Sequence, residues 1–133
     1  MPQFAVQLGP PRLWYPVPGG GQGEYTGLAM SRSLGDLGAH AAGGSCEPEV
    51  VARAVRAGRD EFLVLATDGL WDVVGNQLAV ELVEASRARA RGEGRAWDPR
   101  EAAEVLVKFA RQRWEGLSPE MIDDITAMVV RLG

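Results

Sequence analysis

Five apolar residues, Phe62 to Ala66, run without interruption into the polar group Thr67-Asp68-Gly69, and a second carboxylate stands at Asp72. A short continuous apolar run bounded by a turn predicts a strand buried on both faces. Near the other end, Asp123 and Asp124 open a second apolar run, Ile125 to Leu132. Between the two runs, Leu78, Ala79, Leu82, Val83 and Ala85 recur at helical spacing, which predicts a helix from an Asn76 cap to about Ala90. Asp98-Pro-Arg-Glu101 then carries an acidic cap, a proline at the first helical position and a glutamate three residues after the cap. It predicts a second helix whose apolar stripe runs through Ala102, Val105, Leu106, Phe109, Ala110 and Trp114.

Upstream the pattern is weaker. Val6-Gln-Leu8 and Leu13-Trp-Tyr15 read as short extended pieces, and Pro16 to Gly23 as a glycine- and proline-rich loop or linker. We therefore expect an irregular lead-in over 1–23 and a folded part over 24–133. Gly38 to Ser45 reads as a small-residue loop, and Glu49 to Arg56 as a strand turning at Gly58-Arg-Asp60 into a hairpin with the central strand. Strand, strand, helix, helix, strand is an α+β order.

Composition narrows the classes. The chain has 133 residues, 46% hydrophobic and 24% charged, which fits one ordinary globular domain at most. A net charge of −4 argues against a general nucleic-acid binder, which needs a basic surface. No apolar run has membrane-spanning length, and no secretory signal is evident, so no membrane partner is expected. The single Cys46 forms no internal disulfide, which suits a cytoplasmic or nuclear setting.

The candidate chemistry is carboxylate chemistry. Asp68 at the end of one buried strand and Asp123 at the start of another would meet if the strands are antiparallel neighbours. Together they would form half of an oxygen-rich cation site. The plainer alternative is that Asp68 only starts a turn and caps the segment after it. Arg32 either binds phosphate or pairs with a carboxylate such as Asp36 to fix its turn. His40, the only histidine, reads as a loop residue rather than a proton donor. Arg87, Arg89, Arg91 and Arg95 cluster at the tail of the first helix. Cations are favourable at a helix C-terminus, so a solvated face is the first reading and a docking patch for acidic phosphoproteins the second. Trp71, Trp97 and Trp114 read as packing residues.

Leu28-Ala-Met-Ser-Arg-Ser-Leu-Gly-Asp36, Ala66-Thr-Asp-Gly-Leu-Trp-Asp72 and Asp123-Asp-Ile-Thr126 occur in that order. They resemble the C-terminal motifs of the metal-dependent serine/threonine protein phosphatases, the PPM or type 2C family. The resemblance spans roughly Pro11 to Leu132 and implies part of a four-layer β-sandwich flanked by helices, with the N-terminal half missing. It further implies hydrolysis of phosphoserine and phosphothreonine on protein substrates with two or more Mg2+ or Mn2+ ions. In that chemistry the ions supply a nucleophile near neutral pH and offset phosphoryl charge. Carried over residue by residue, Asp68 and Asp123 are metal ligands and Asp72 matches an additional, weaker metal position. No residue beyond these metal ligands is assigned a catalytic role.

Asp124 stands where many members of that family have Asn. The Asp-Gly-His-Gly-Gly motif, a phosphate-contacting Arg and an acid His of the family's first half have no counterpart here. The expectation is a fragment with negligible activity alone. A catalytically dead binding module derived from such a phosphatase is the alternative. A haloacid-dehalogenase-type reading fails because it needs an Asp where Ala66 stands.

Overall fold

A computed structural model of the chain describes residues 11–117 and 119–132. The expectation for Val6-Gln-Leu8 lies outside the described residues. The chain separates into two compact units, Met1–Ala52 and Arg53–Gly133.

In the first unit, β1 (Leu13–Pro16) and β2 (Tyr25–Leu28) form an antiparallel hairpin that pairs Leu13 with Leu28 and Pro16 with Tyr25. The glycine-rich stretch between them is the hairpin's connection, closed by Val17 N–H donating to the Glu24 carbonyl at 3.0 Å. Leu37–Ala41 forms a short helix, α1, in place of the expected loop. Its Gly38 lies against the Tyr15 ring, leaving no room for a side chain. Arg32 and Ser45 make an isolated bridge, and Arg32 pairs at 2.9 Å with Glu49 rather than Asp36.

The second unit carries the regular core. β3 (Phe62–Ala66) and β4 (Ala127–Arg131) pair antiparallel, in a register that sets Phe62 opposite Arg131 and Ala66 opposite Ala127. Side chains alternate across a strand. Phe62, Val64, Ala66, Ala127 and Val129 consequently point to one face, where they join a core with Leu70 and Val74. The helices α3 (Asn76–Gly92) and α4 (Pro99–Leu117) complete that core through Ala79, Val83, Ala102, Leu106 and Ala110. Leu70, Val74, Val83 and Leu106 are fully buried, each contributing roughly 1.5–3 kcal/mol of transfer free energy.

The other sheet face departs from expectation. Leu63, Leu65, Met128 and Val130 are all exposed. They are register partners on one side of the ladder, Leu63 opposite Val130 and Leu65 opposite Met128. Burial on both faces is the sequence expectation for these strands, and each buries only one. The expected strand over Glu49 to Arg56 is also absent: Val50 and Val51 are exposed and no ladder forms. A strand needs a partner for its N–H and C=O groups, and among the described residues none pairs with it. The turn at 56–60 does form, with the Asp60 carboxylate accepting from Arg56 N–H at 2.9 Å and Arg53 Nη2 at 3.0 Å.

Both long helices lie where the spacing puts them, with adjustments. The cap of α3 is Gly75 in extended geometry, and Asn76 is the first helical residue. Ser86 rather than Ala85 is buried on its inner face, where its hydroxyl accepts from Trp97 Nε1 at 3.2 Å. Asp98 caps α4 as expected, its carboxylate accepting from Arg100 N–H at 3.0 Å. Glu101 turns away from the cap and grips Arg95 through two bonds of 2.7 Å. The observed class is α+β. Among the described residues no helix is long and apolar enough to cross a membrane.

Candidate metal centre

β3 ends at Ala66, and the chain turns at once into a single helical turn, α2 (Asp68–Trp71), capped by Thr67 in extended geometry. Asp68 therefore occupies the first helical position, exposed, where a carboxylate faces the positive end of the peptide dipoles. Its Oδ1 accepts from Gly69 N–H at 3.1 Å. Asp72 comes one turn on, its N–H donating to the Asp68 carbonyl at 2.9 Å, which puts the two side chains on one side of the turn.

The approach to β4 is clasped to this turn. The Thr67 hydroxyl donates to the Asp124 carbonyl at 3.0 Å and accepts from Thr126 N–H at 3.0 Å. Thr67 N–H donates to the Thr126 carbonyl at 3.1 Å. One side chain thus joins two segments 57 residues apart. Gly69 is where they touch, because a Cβ there would stand 2.4 Å from the Asp124 carbonyl oxygen. No substituted residue fits that gap without moving backbone. Asp123, next to this contact, is exposed, and its Oδ1 accepts from Asp124 N–H at 2.7 Å.

Aromatic residues hold the turn from behind. Trp71 Nε1 donates to the Ala66 carbonyl at 3.0 Å. Trp114, reaching from α4, donates through Nε1 to the Gly69 carbonyl at 2.7 Å. Reading Trp71, Trp97 and Trp114 as packing residues captures half of their role, since each indole N–H also fixes a polar partner. Thr67 and Trp114 hold this turn through their hydrogen bonds, a part that the motifs alone do not reveal. The available signal for Thr67 is a threonine in each of the two acidic motifs, Thr67-Asp68 and Asp123-Asp-Ile-Thr126.

The antiparallel pairing of β3 and β4 brings the segments bearing Asp68, Asp72 and Asp123 to the same end of the ladder. All of these donors are carboxylate oxygens open to water, a set that suits a hard cation such as magnesium or manganese. Among the described residues no three or more His, Cys, Asp or Glu side chains are gathered closely enough to enclose an ion. These residues fit part of a coordination shell rather than a closed one. In the first unit, His40 Nε2 lies 3.0 Å from the Ser33 carbonyl oxygen, so the ring is tied into its own loop.

The arginine cluster at the tail of α3 is largely paired. Arg87 bonds Glu61 and Glu84 and lies over the Phe62 and Trp97 rings at 5.9 and 5.4 Å. Arg89 pairs with Glu93 at 2.9 Å, and Arg95 with Glu93 and Glu101. These contacts hold the guanidinium of Arg95 well above its ordinary pKa, first through Glu101 and then through Glu93.

Comparison with known proteins agrees with this architecture. A sequence profile of the family described as Protein phosphatase 2C matches residues 20–115. The chain is similar to a probable protein phosphatase 2C 73 of Oryza sativa subsp. japonica, 37% identical, over 92% of this chain and 26% of that protein. It is likewise similar to a probable protein phosphatase 2C 65 of Arabidopsis thaliana, 38% identical, over 96% of this chain and 30% of that protein. Among solved structures, the serine-threonine phosphatase 2C from Toxoplasma gondii superposes with a TM-score of 0.63 at 33% identity, covering 83% of this chain and 31% of that one. The chain thus spans under a third of the length of the relatives it matches. With the profile covering most of its residues, it belongs to the protein phosphatase 2C family.

Proposed function

We propose that this stretch contributes Asp68 and Asp123 to a divalent-cation centre that hydrolyses phosphoserine and phosphothreonine on proteins, with Mg2+ or Mn2+ as the ion. The observation that carries this reading is the Thr67 clasp, which ties the turn bearing Asp68 to the approach to β4 bearing Asp123. A carboxylate on a hydrogen-bonded backbone corner needs little reordering to meet a cation. Bound divalent ions acidify a water and offset charge on phosphoryl oxygens. Within this chain, Asp68 and Asp123 would hold the ion and Asp72 would serve an additional, weaker one. Thr67, Gly69 and Trp114 keep the carboxylate-bearing backbone in register. The remaining ligands belong to the length of the relatives that this stretch does not span, so the 133-residue chain alone turns over negligible substrate.

Calorimetric titration of the chelator-stripped chain with Mn2+ tests the centre. Asp68→Asn and Asp123→Asn should each weaken uptake at least about tenfold, the scale on which even groups behind the ligands matter. Uptake indifferent to either change would overturn the assignment. In a phosphoserine-peptide assay with Mg2+ or Mn2+, turnover matching an intact phosphatase and abolished by Asp68→Ala would refute the inactivity of the isolated chain.

A further inference from the structure

The arginines at the tail of α3 line a cleft of about 330 Å³, together with Glu61, Ala96, Trp97 and Arg131. Four arginines, Arg87, Arg91, Arg95 and Arg131, line it, and Glu61, Glu84, Glu93 and Glu101 pair with Arg87 and Arg95. The cleft lies at the end of the β3–β4 ladder where Phe62 faces Arg131, and the carboxylates of the metal centre lie at the other end, beyond Ala66 and Ala127. Four strand steps separate the two ends, roughly 14 Å. The cleft is therefore no part of the metal centre.

Its guanidiniums differ in what they have left to give. Arg95 spends four of its five N–H donors on Glu93, Glu101 and the Ala96 carbonyl. Both hydrogen bonds of Arg87 leave from Nη1, so its Nε and Nη2 edge has no hydrogen-bond partner among the described residues. Two carboxylates and two rings nevertheless hold that guanidinium in place. Arg91 has no ion pair among the described residues and is exposed. A fixed two-donor edge beside the exposed Arg91 guanidinium matches the adjacent oxygens of a tetrahedral dianion.

We propose that this cleft binds a phosphoryl group, as a site separate from the metal centre and independent of any metal. Two sources share that chemistry, a second phosphorylated residue of a protein substrate and free inorganic phosphate.

The experiment is a titration of the isotope-labelled 133-residue chain in chelator, monitored through the backbone resonances of residues 87–97 and the Trp97 indole N–H. The ligands are inorganic phosphate, a phosphoserine peptide and the same peptide unphosphorylated. Saturable shifts confined to the cleft are expected with the first two only. A peptide that binds tighter than phosphate identifies the peptide as the source, and equal affinities identify the free ion. Arg91→Glu, at an exposed position that leaves the core untouched, should weaken binding at least tenfold, whereas Asp68→Asn should leave it unchanged. No shift up to about 10 mM phosphate, equal binding of the unphosphorylated peptide, or an Arg91→Glu variant that binds like the parent would each overturn the proposal. The chelator makes failure here distinct from failure of the metal centre.

Discussion

Gly69→Ala adds a single methyl group, and the structure says where it goes. The new carbon would stand 2.4 Å from the Asp124 carbonyl oxygen and 2.9 Å from its carbon, both backbone atoms. Reaching even the tight limit of 3.0 Å requires the two segments to part by about 0.6 Å. Gly69 is buried beneath Trp114, so the shift cannot be taken up toward solvent. Over-packing of this kind costs about 1–3 kcal/mol. Parting the segments also stretches the two 3.0 Å bonds on the Thr67 hydroxyl, each contributing about 0.5–1.5 kcal/mol. Allowing for partial relaxation, a loss of roughly 2–4 kcal/mol is expected from urea unfolding. Gly116→Ala is the matched control. It lies in α4 with nothing within 4 Å of its added carbon, and should be neutral or stabilising by up to about 1 kcal/mol. If Gly69→Ala unfolds within about 0.5 kcal/mol of the parent, the range of an ordinary surface change, the clasp does not hold this corner together.

The same geometry sets further expectations. Trp114→Phe keeps the ring but removes the 2.7 Å bond to the Gly69 carbonyl; a loss of about 1–2 kcal/mol in urea is expected, and an unchanged midpoint would show that the bond does not matter. Leu106→Ala, at a fully buried position between α3, α4 and the sheet, should cost about 2–5 kcal/mol by the same measurement. Asp60, Glu93 and Asp98 are held below the usual carboxylate range, chiefly by hydrogen bonds from Arg56, Arg89 and Arg100 respectively. A lowered folded pKa stabilises above the ordinary value, near 4, and the benefit fades as pH falls through the folded one. Stability should thus be flat from pH 7 to about 5 and decline below about 4, with a shallower decline in Asp98→Asn, which keeps the cap and drops the charge.

The parts of the fold legible in the sequence are those fixed by short-range rules. Phe62 to Ala66 and the two amphipathic helices carry their periodicity in their own residues. Asp98-Pro-Arg-Glu101 marks a helix start whichever neighbours it has. Tertiary partners are not legible. Val50 and Val51 have strand-forming side chains but no adjacent ladder, so propensity alone does not make a strand. Leu37 to Ala41 is helical although its glycine and small residues read as loop. Leu63 and Leu65 read as buried because periodicity reports an apolar face without reporting what covers it. At the candidate centre, the carboxylates are legible from their motifs, while the Thr67 clasp and the Trp114 bond arise only when distant segments meet.

The clasp also fixes the order in which a ribosome can assemble this corner. Thr67 leaves the exit tunnel before its partner Asp124, 57 residues later. At ordinary elongation speeds of roughly 5–20 residues per second, that is a wait of about 3–11 seconds. Through that interval β3 has neither its mate nor its anchor, and its leucines are available to any sticky neighbour on the polysome. The acidic corner is therefore completed only once Asp124 and Thr126 have emerged as well.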